Sequence, residues 1–158
     1  KQKIEKTNAA RLLDRAKIKY ELIPYVVDEN NLAATHVAEQ VGEDIATVFK
    51  TLILCGDRAG YLGCVVPGNH EVDLKAAARV SGNKSAEMIH VRELLSTTGY
   101  IRGGCSPIGM KKQYPTYVEE TAGTYDEIAV SGGRCGITLL MSPESLQKVT
   151  NCKFADLV

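Results

Sequence analysis

The stretch Val48-Phe49-Lys50-Thr51-Leu52-Ile53-Leu54-Cys55 is β-branched and aliphatic, holds no Gly or Pro, and closes in the turn Gly56-Asp57-Arg58-Ala59-Gly60. That composition predicts a strand. Strand alternation puts Val48, Lys50, Leu52 and Leu54 on one side and Phe49, Thr51, Ile53 and Cys55 on the other. Both sides are mostly apolar, which predicts a central strand covered on both faces. Lys50 stands in one of these apolar rows. A lysine there either faces a partner or a cavity, or it lies near the strand start and snorkels to water.

Working outward, Tyr61 to Val66 reads as the hairpin partner of this strand, broken by Pro67-Gly68-Asn69. Upstream, Thr7 or Asn8 caps a short helix that carries Ala9, Ala10, Leu12, Leu13 and Ala16 inward. Tyr20 to Val27 reads as a strand with Tyr25 and Val27 on one face, and Pro24 marks a sheet edge or a bulge. Asp28 to Asn31 is a polar loop, and a second helix from about Ala34 to Val41 stops at Gly42. Downstream, Asp73 caps a helix over Leu74 to Val80, residues 84–89 form a short strand, and residues 91–98 form a helix ended by Gly99. Tyr117-Val118-Glu119 is a weak strand, and Glu127 to Val130 and Ile137 to Met141 are stronger ones. Ser142-Pro143 opens a last helix over 143–149, followed by an apolar tail, Phe154 to Val158. Strands and helices interleave, yet neighbouring strands are often hairpin-linked. The fold class expected is α+β, a mixed, mostly antiparallel, barrel-like sheet with surrounding helices.

At 158 residues the expectation is a single domain, residues 1–158, with a substantial core. The 19 basic and 19 acidic residues cancel, so no global charge draws the protein to nucleic acid or an anionic membrane. A nucleic acid would meet a local patch, for which Lys75, Arg79, Lys84, Lys111 and Lys112 are candidates beside the alternative of a solvated surface. The five cysteines, Cys55, Cys64, Cys105, Cys135 and Cys152, form no C-x-x-C motif. They read as small buried thiols in a reducing cytoplasm, without a structural zinc. No apolar run reaches the ~20 residues of a membrane span.

Chemistry concentrates in two further stretches. Ser96-Thr97-Thr98-Gly99-Tyr100-Ile101-Arg102-Gly103-Gly104-Cys105-Ser106-Pro107-Ile108-Gly109 combines four glycines and a proline. Such a loop either aims successive amides at one anionic oxygen, as an oxyanion hole does, or is only a tight connection. It lacks the P-loop pattern. In Val130-Ser131-Gly132-Gly133 the Ser131 hydroxyl serves either a ligand or the turn's own backbone. His36, His70 and His90 show no metal-ligand spacing, His36 reads as a surface residue, and no G-x-S-x-G elbow occurs.

Together V-F-K-T-L, S-T-T-G-Y-I-R-G-G-C-S-P-I-G and V-S-G-G-R, with V-D-L-K-A near residue 74 and K-F-A-D near the end, resemble the bacterial YbaK/EbsC family. Its members are Cys-tRNA(Pro) deacylases related to the editing (INS) domain of bacterial prolyl-tRNA synthetase. The resemblance implies that family's fold. It also implies cleavage of the aminoacyl ester of tRNA(Pro) mischarged with cysteine, by attack of the substrate's own thiol on its ester carbonyl, without cofactor or metal. Prolyl-tRNA synthetase is the implied partner and the cytoplasm the implied location.

Residue by residue, Lys50 would hold the tRNA end or the ester. The loop Gly103 to Pro107, which includes Gly104 and Ser106, would position the carbonyl, chiefly through amides around Gly103 and Gly104. Tyr25 and Ser131 would line the pocket. Two positions depart from the family. Thr138 stands where a carboxylate is usual, and Cys105 where an aliphatic residue is expected; Cys105 is either a small packing residue or a nucleophile. Deacylation of Ala or another small aminoacyl group, and non-catalytic tRNA or protein binding, are the alternative functions.

Overall fold

The computed structural model describes residues 5–27 and 34–158. The expected polar loop at residues 28–31 and the side chain of His36 lie outside the described residues. In chain order the elements are α1 (Asn8–Arg15), β1 (Glu21–Pro24), α2 (Ala34–Val41), β2 (Phe49–Gly56), β3 (Gly60–Pro67), α3 (Leu74–Val80), β4 (Ala86–Met88), α4 (Val91–Thr98), β5 (Thr116–Glu119), β6 (Ile128–Ser131), β7 (Ile137–Met141), α5 (Pro143–Thr150) and β8 (Lys153–Ala155). The mixed α+β architecture is the one expected. Its strands fall into two sheets, ordered β1-β7-β6 and β4-β2-β3-β5-β8. β2 pairs antiparallel with β3 and β4, β7 pairs antiparallel with β1 and β6, and β5 lies parallel to β3 and β8.

β2 organises both sheets. One edge is paired with β3 from Phe49↔Pro67 to Gly56↔Gly60. On the other edge Val48 makes an isolated parallel bridge to Ala129 of the three-stranded sheet, and β4 pairs only from Leu54 to Gly56. The two neighbours diverge, so the β2 edge from Lys50 to Thr51 lies between them without a paired strand.

The faces of β2 are covered as its apolar rows require. Leu54, with Leu62, Cys64 and Val66 of β3, packs against Ala77 and Ala78 of α3. Phe49 joins Val65, Val118, Leu139 and Met141 beneath Ala9 and Leu13 of α1. Each such leucine, fully buried, contributes about 1.5–3 kcal/mol relative to exposure.

Two expectations change. The strand expected over residues 20–27 stops at Pro24, where β1 runs along the outside of its sheet. Beyond it the Tyr25 N–H donates to the Gly136 carbonyl at 2.8 Å, so Tyr25 leaves the ladder and turns toward the loop before β7. The apolar tail instead builds β8, parallel to β5. The buried Glu119 carboxylate fixes that end, with Oε1 accepting from Leu157 N at 3.0 Å and Oε2 from Thr121 N at 2.8 Å.

Candidate active site

A cavity of about 620 Å³ opens at the unpaired edge of β2. Lys50, Thr51 and Leu52 lie along it. Arg102, Gly103 and Cys105 form one wall, Tyr25, Ser131 and Thr138 another, and Met88, His90 and Val91 belong to its rim. Strand alternation sends Lys50 and Thr51 to opposite faces of β2. Thr51 shares a face with Ile53, which packs with Cys105 and Tyr100, whereas Lys50 shares the face of Leu52, which packs toward α3. The cavity therefore wraps around the strand edge. The lysine reaches it from one side and the glycine loop from the other.

The partly buried Lys50 ammonium donates to the Gly68 carbonyl at 3.4 Å, a long bond that leaves most of its donor capacity for a ligand. Among the described residues no Asp or Glu lines the cavity, so Lys50 and Arg102 set its charge. Such a lining favours an anionic oxygen over a cation.

The glycine loop has a division of labour that sequence alone did not reveal. Gly103 has φ +86°, a conformation open to glycine at little cost, and its N–H donates to no group among the described residues. The Cys105 N–H likewise has no acceptor among the described residues, and both residues line the cavity. The amide of Gly104 is different: it donates to the Ile101 carbonyl at 2.9 Å and closes the turn. Gly104 matters through close approach, because a Cβ there would stand 2.9 Å from the Arg134 Cα and 3.1 Å from the Cys135 N. The expected pair of amides, Gly103 and Gly104, is thus replaced as available donors by Gly103 and Cys105.

The remaining expected residues divide between lining and support. Tyr25 lines the cavity half-buried, and burial raises its phenol above the ordinary value. Ser131 also lines it, but its Oγ accepts from the Gly133 N–H at 3.2 Å, the turn-forming role left open by the sequence. Thr138 is buried opposite Ser131 in the β6–β7 register and reaches the same lining. Ser106 and Pro107 are buried behind it, where the Ser106 Oγ accepts from the Ile108 N–H at 3.2 Å. Lys75, Arg79, Lys84, Lys111 and Lys112 are exposed and away from the lining. Burial pushes the Cys105 thiol up to about 11, so near neutrality it is protonated and poorly nucleophilic.

Three polar lining residues escaped the sequence reading. Arg102, next to Gly103, carried a readable signal as a cation inside a glycine-rich loop. His90 precedes α4 and carried none. Thr51 is the third. Its buried Oγ1 has no hydrogen-bond partner, alone in this among the described residues. Buried hydroxyls are rarely left so, and Thr51 is one of the residues that line the cavity.

The fold presents two sheets meeting at one bare strand edge with a cationic, amide-lined cavity there, and comparison with known proteins gives its family. The profile described as aminoacyl-tRNA editing domain matches residues 28–149. An Enterococcus faecalis protein named "Putative Cys-tRNA(Pro)/Cys-tRNA(Cys) deacylase EbsC" is 46% identical over 153 residues, 97% of this chain and 93% of its own. A proline–tRNA ligase of Thermosipho melanesiensis is 32% identical over 74 residues, 47% of this chain and 13% of the ligase. A crystal structure described as "a putative trans-editing enzyme for prolyl tRNA synthetase" shares the fold at TM-score 0.81 and 24% identity, over 97% of this chain and 98% of that one. The chain belongs to the aminoacyl-tRNA editing domain family.

Proposed function

We propose that this protein is a deacylase that removes cysteine from mischarged tRNA(Pro). The observation that carries the reading is the cavity at the β2 edge, lined by the Lys50 side chain and by the uncommitted amides of Gly103 and Cys105. An aminoacyl ester with its carbonyl oxygen toward these amides develops negative charge there when attacked. Preorganised donors of this kind contribute about 10²–10³ each in turnover.

The nucleophile is the thiol of the substrate cysteine. Its sulfur bonds to the ester carbonyl carbon, and the resulting oxyanion collapses with cleavage of the bond to the ribose oxygen. The thiol proton ends on that oxygen. The products are a cyclic thiolactone and tRNA. The protein's part is to orient the acyl group and stabilise the oxyanion. Lys50 holds the ester or the adjoining ribose–phosphate, Gly104 keeps the two glycine loops in register, and Tyr25, Ser131 and Thr138 bound the acyl pocket. Ser106 and Pro107 support the loop from behind.

Prolyl-tRNA synthetase, which carries a related editing region in the ligase above, is the proposed source of mischarged tRNA. The setting is the cytoplasm, where the five free cysteines persist. No described helix is long and apolar enough to cross a membrane. The whole chain acts as one editing domain.

The test is a panel of Cys-, Ala- and Ser-charged tRNA(Pro) incubated with purified protein and with Lys50→Ala. The expected result is discharge of cysteine, with most activity lost in Lys50→Ala. Discharge of alanine in preference to cysteine would overturn the thiol mechanism. Full activity in Lys50→Ala would remove the central assignment.

A further inference from the structure

Of the eight large apolar side chains exposed among the described residues, four fall in one short segment. Met88 (47% exposed), Val91 (62%), Leu95 (54%) and Ile101 (56%) all come from the segment running from the end of β4 through α4 to the glycine loop. Met88 and Val91 also line the cavity, so this apolar segment reaches its mouth. Val91 and Leu95, four residues apart on α4, project on one face of the helix. Arg102 follows Ile101 and joins the same cavity wall.

We propose that this face seats the nucleobases at the 3′ end of the RNA whose acyl ester enters the cavity. The inference rests on the function proposed above. An acyl group held against Gly103 is covalently attached to a terminal ribose, so ribose and base emerge at the mouth. The first surface they meet on the α4 side is apolar and exposed. Nucleobases have broad apolar faces that such a surface shields from water without reading sequence. The charge agrees, since phosphates follow the bases and the adjoining wall carries Arg102 with no carboxylate among its described residues. A second copy of the chain seated here would cover the mouth that the acyl group must enter.

The test uses an uncharged RNA tetranucleotide, ACCA, and the same oligonucleotide lacking its terminal base. Methyl NMR follows Met88, Val91, Leu95 and Ile101 during titration to millimolar concentration. The expected result is saturable shifts at these methyls with ACCA, at least fivefold weaker binding without the terminal base, and a similar loss in Val91→Ser/Leu95→Gln. Both substituted side chains are exposed, and an unchanged circular dichroism spectrum verifies that the variant folds. Absence of shifts at these methyls, equal affinity of the two oligonucleotides, or a dimer in sedimentation that protects the same methyls would overturn the proposal. Because ACCA carries no ester, the outcome is separable from deacylation: ACCA bound as expected by a protein that discharges no tRNA would refute the enzymatic reading alone.

Discussion

Replacing Thr51 by Val removes one hydroxyl while keeping β-branching and nearly the same volume. Val is at least as well suited to a strand as Thr. In the unliganded protein the Thr51 Oγ1 is buried without a partner. Leaving such a group unsatisfied costs about 1–3 kcal/mol, and Val removes that cost. Thr51→Val is therefore expected to be more stable than the parent by that amount, a Tm increase of roughly 2–10 °C for a chain of this size. Turnover moves the other way. Thr51 lines the cavity, and rotation about its Cα–Cβ bond would bring the hydroxyl to the acyl ester; a bond to a group that becomes charged in the transition state is worth about 1.5–3 kcal/mol. Its loss lowers kcat/KM about ten- to a hundredfold. The assay is single-turnover deacylation of Cys-tRNA(Pro), paired with thermal melts, on Thr51→Val and Thr51→Ser. Serine keeps the hydroxyl and retains most activity. Unaltered turnover in Thr51→Val would refute the reasoning, as would a lowered Tm, since either result makes the hydroxyl an ordinary packing group.

Three more substitutions probe the surrounding machinery. Cys105→Val is expected to keep full activity, because the buried thiol is protonated at working pH; a hundredfold loss would make Cys105 a nucleophile. Its folded value, about 11, lies above the ordinary 9.0, so its contribution to stability is complete below pH 9 and is lost as pH rises through about 11. Urea titrations of Cys105→Val between pH 8 and 11 should accordingly show a shallower alkaline decline than the parent. Gly104→Ala pushes a methyl against the backbone of Arg134 and Cys135. Overpacking of this kind costs about 1–3 kcal/mol, and turnover should fall at least tenfold as the amides of Gly103 and Cys105 move; unchanged turnover would show that the register of the two loops is unimportant. Glu119→Ala removes two acceptors of backbone N–H groups and is expected to cost about 3 kcal/mol in chemical denaturation while leaving acyl selectivity unchanged.

Local chemistry made much of the fold readable. Asp73 accepts from the amides of Lys75 and Ala76 at the start of α3, and the Ser142 Oγ accepts from the Ser145 N–H ahead of Pro143, as their cap signatures predict. Gly99 ends α4 in the left-handed conformation its position required. Lys50 stood out because an ammonium in an apolar row needs a reason, and the cavity supplies one. Features set by long-range packing were not readable. Nothing in Lys153-Phe154-Ala155 announces that it pairs with β5, since the driving contact is Leu157 and its amide against a carboxylate 38 positions away. Thr51 looked like any strand threonine, because whether a hydroxyl finds a partner depends on what lies across the sheet. Gly103 and Gly104 are chemically identical in sequence, and only the folded turn decides which amide is engaged and which is free.

The same distinction explains why the site sits where it does. An uncovered strand edge inside a protein is ordinarily a liability, because its main chain invites pairing with another strand. Here Ala129 bridges β2 at Val48 and β4 joins it only from Leu54 onward, so the interval between them is too short to admit a full strand. What fits is a small group approaching edge-on. At an edge, unlike on a face, consecutive side chains from both sides of the strand reach one ligand. Lys50 and Thr51, adjacent in sequence and opposite in direction, can therefore act on the same ester, the ammonium from one face and the hydroxyl from the other, with the glycine loop closing the far side. A lysine moved one position along β2 would lie on the Cys105 side, crowding the loop amides it is meant to complement. Position 50, and not the mere presence of a cation on β2, is what the divergence of the two sheets makes useful.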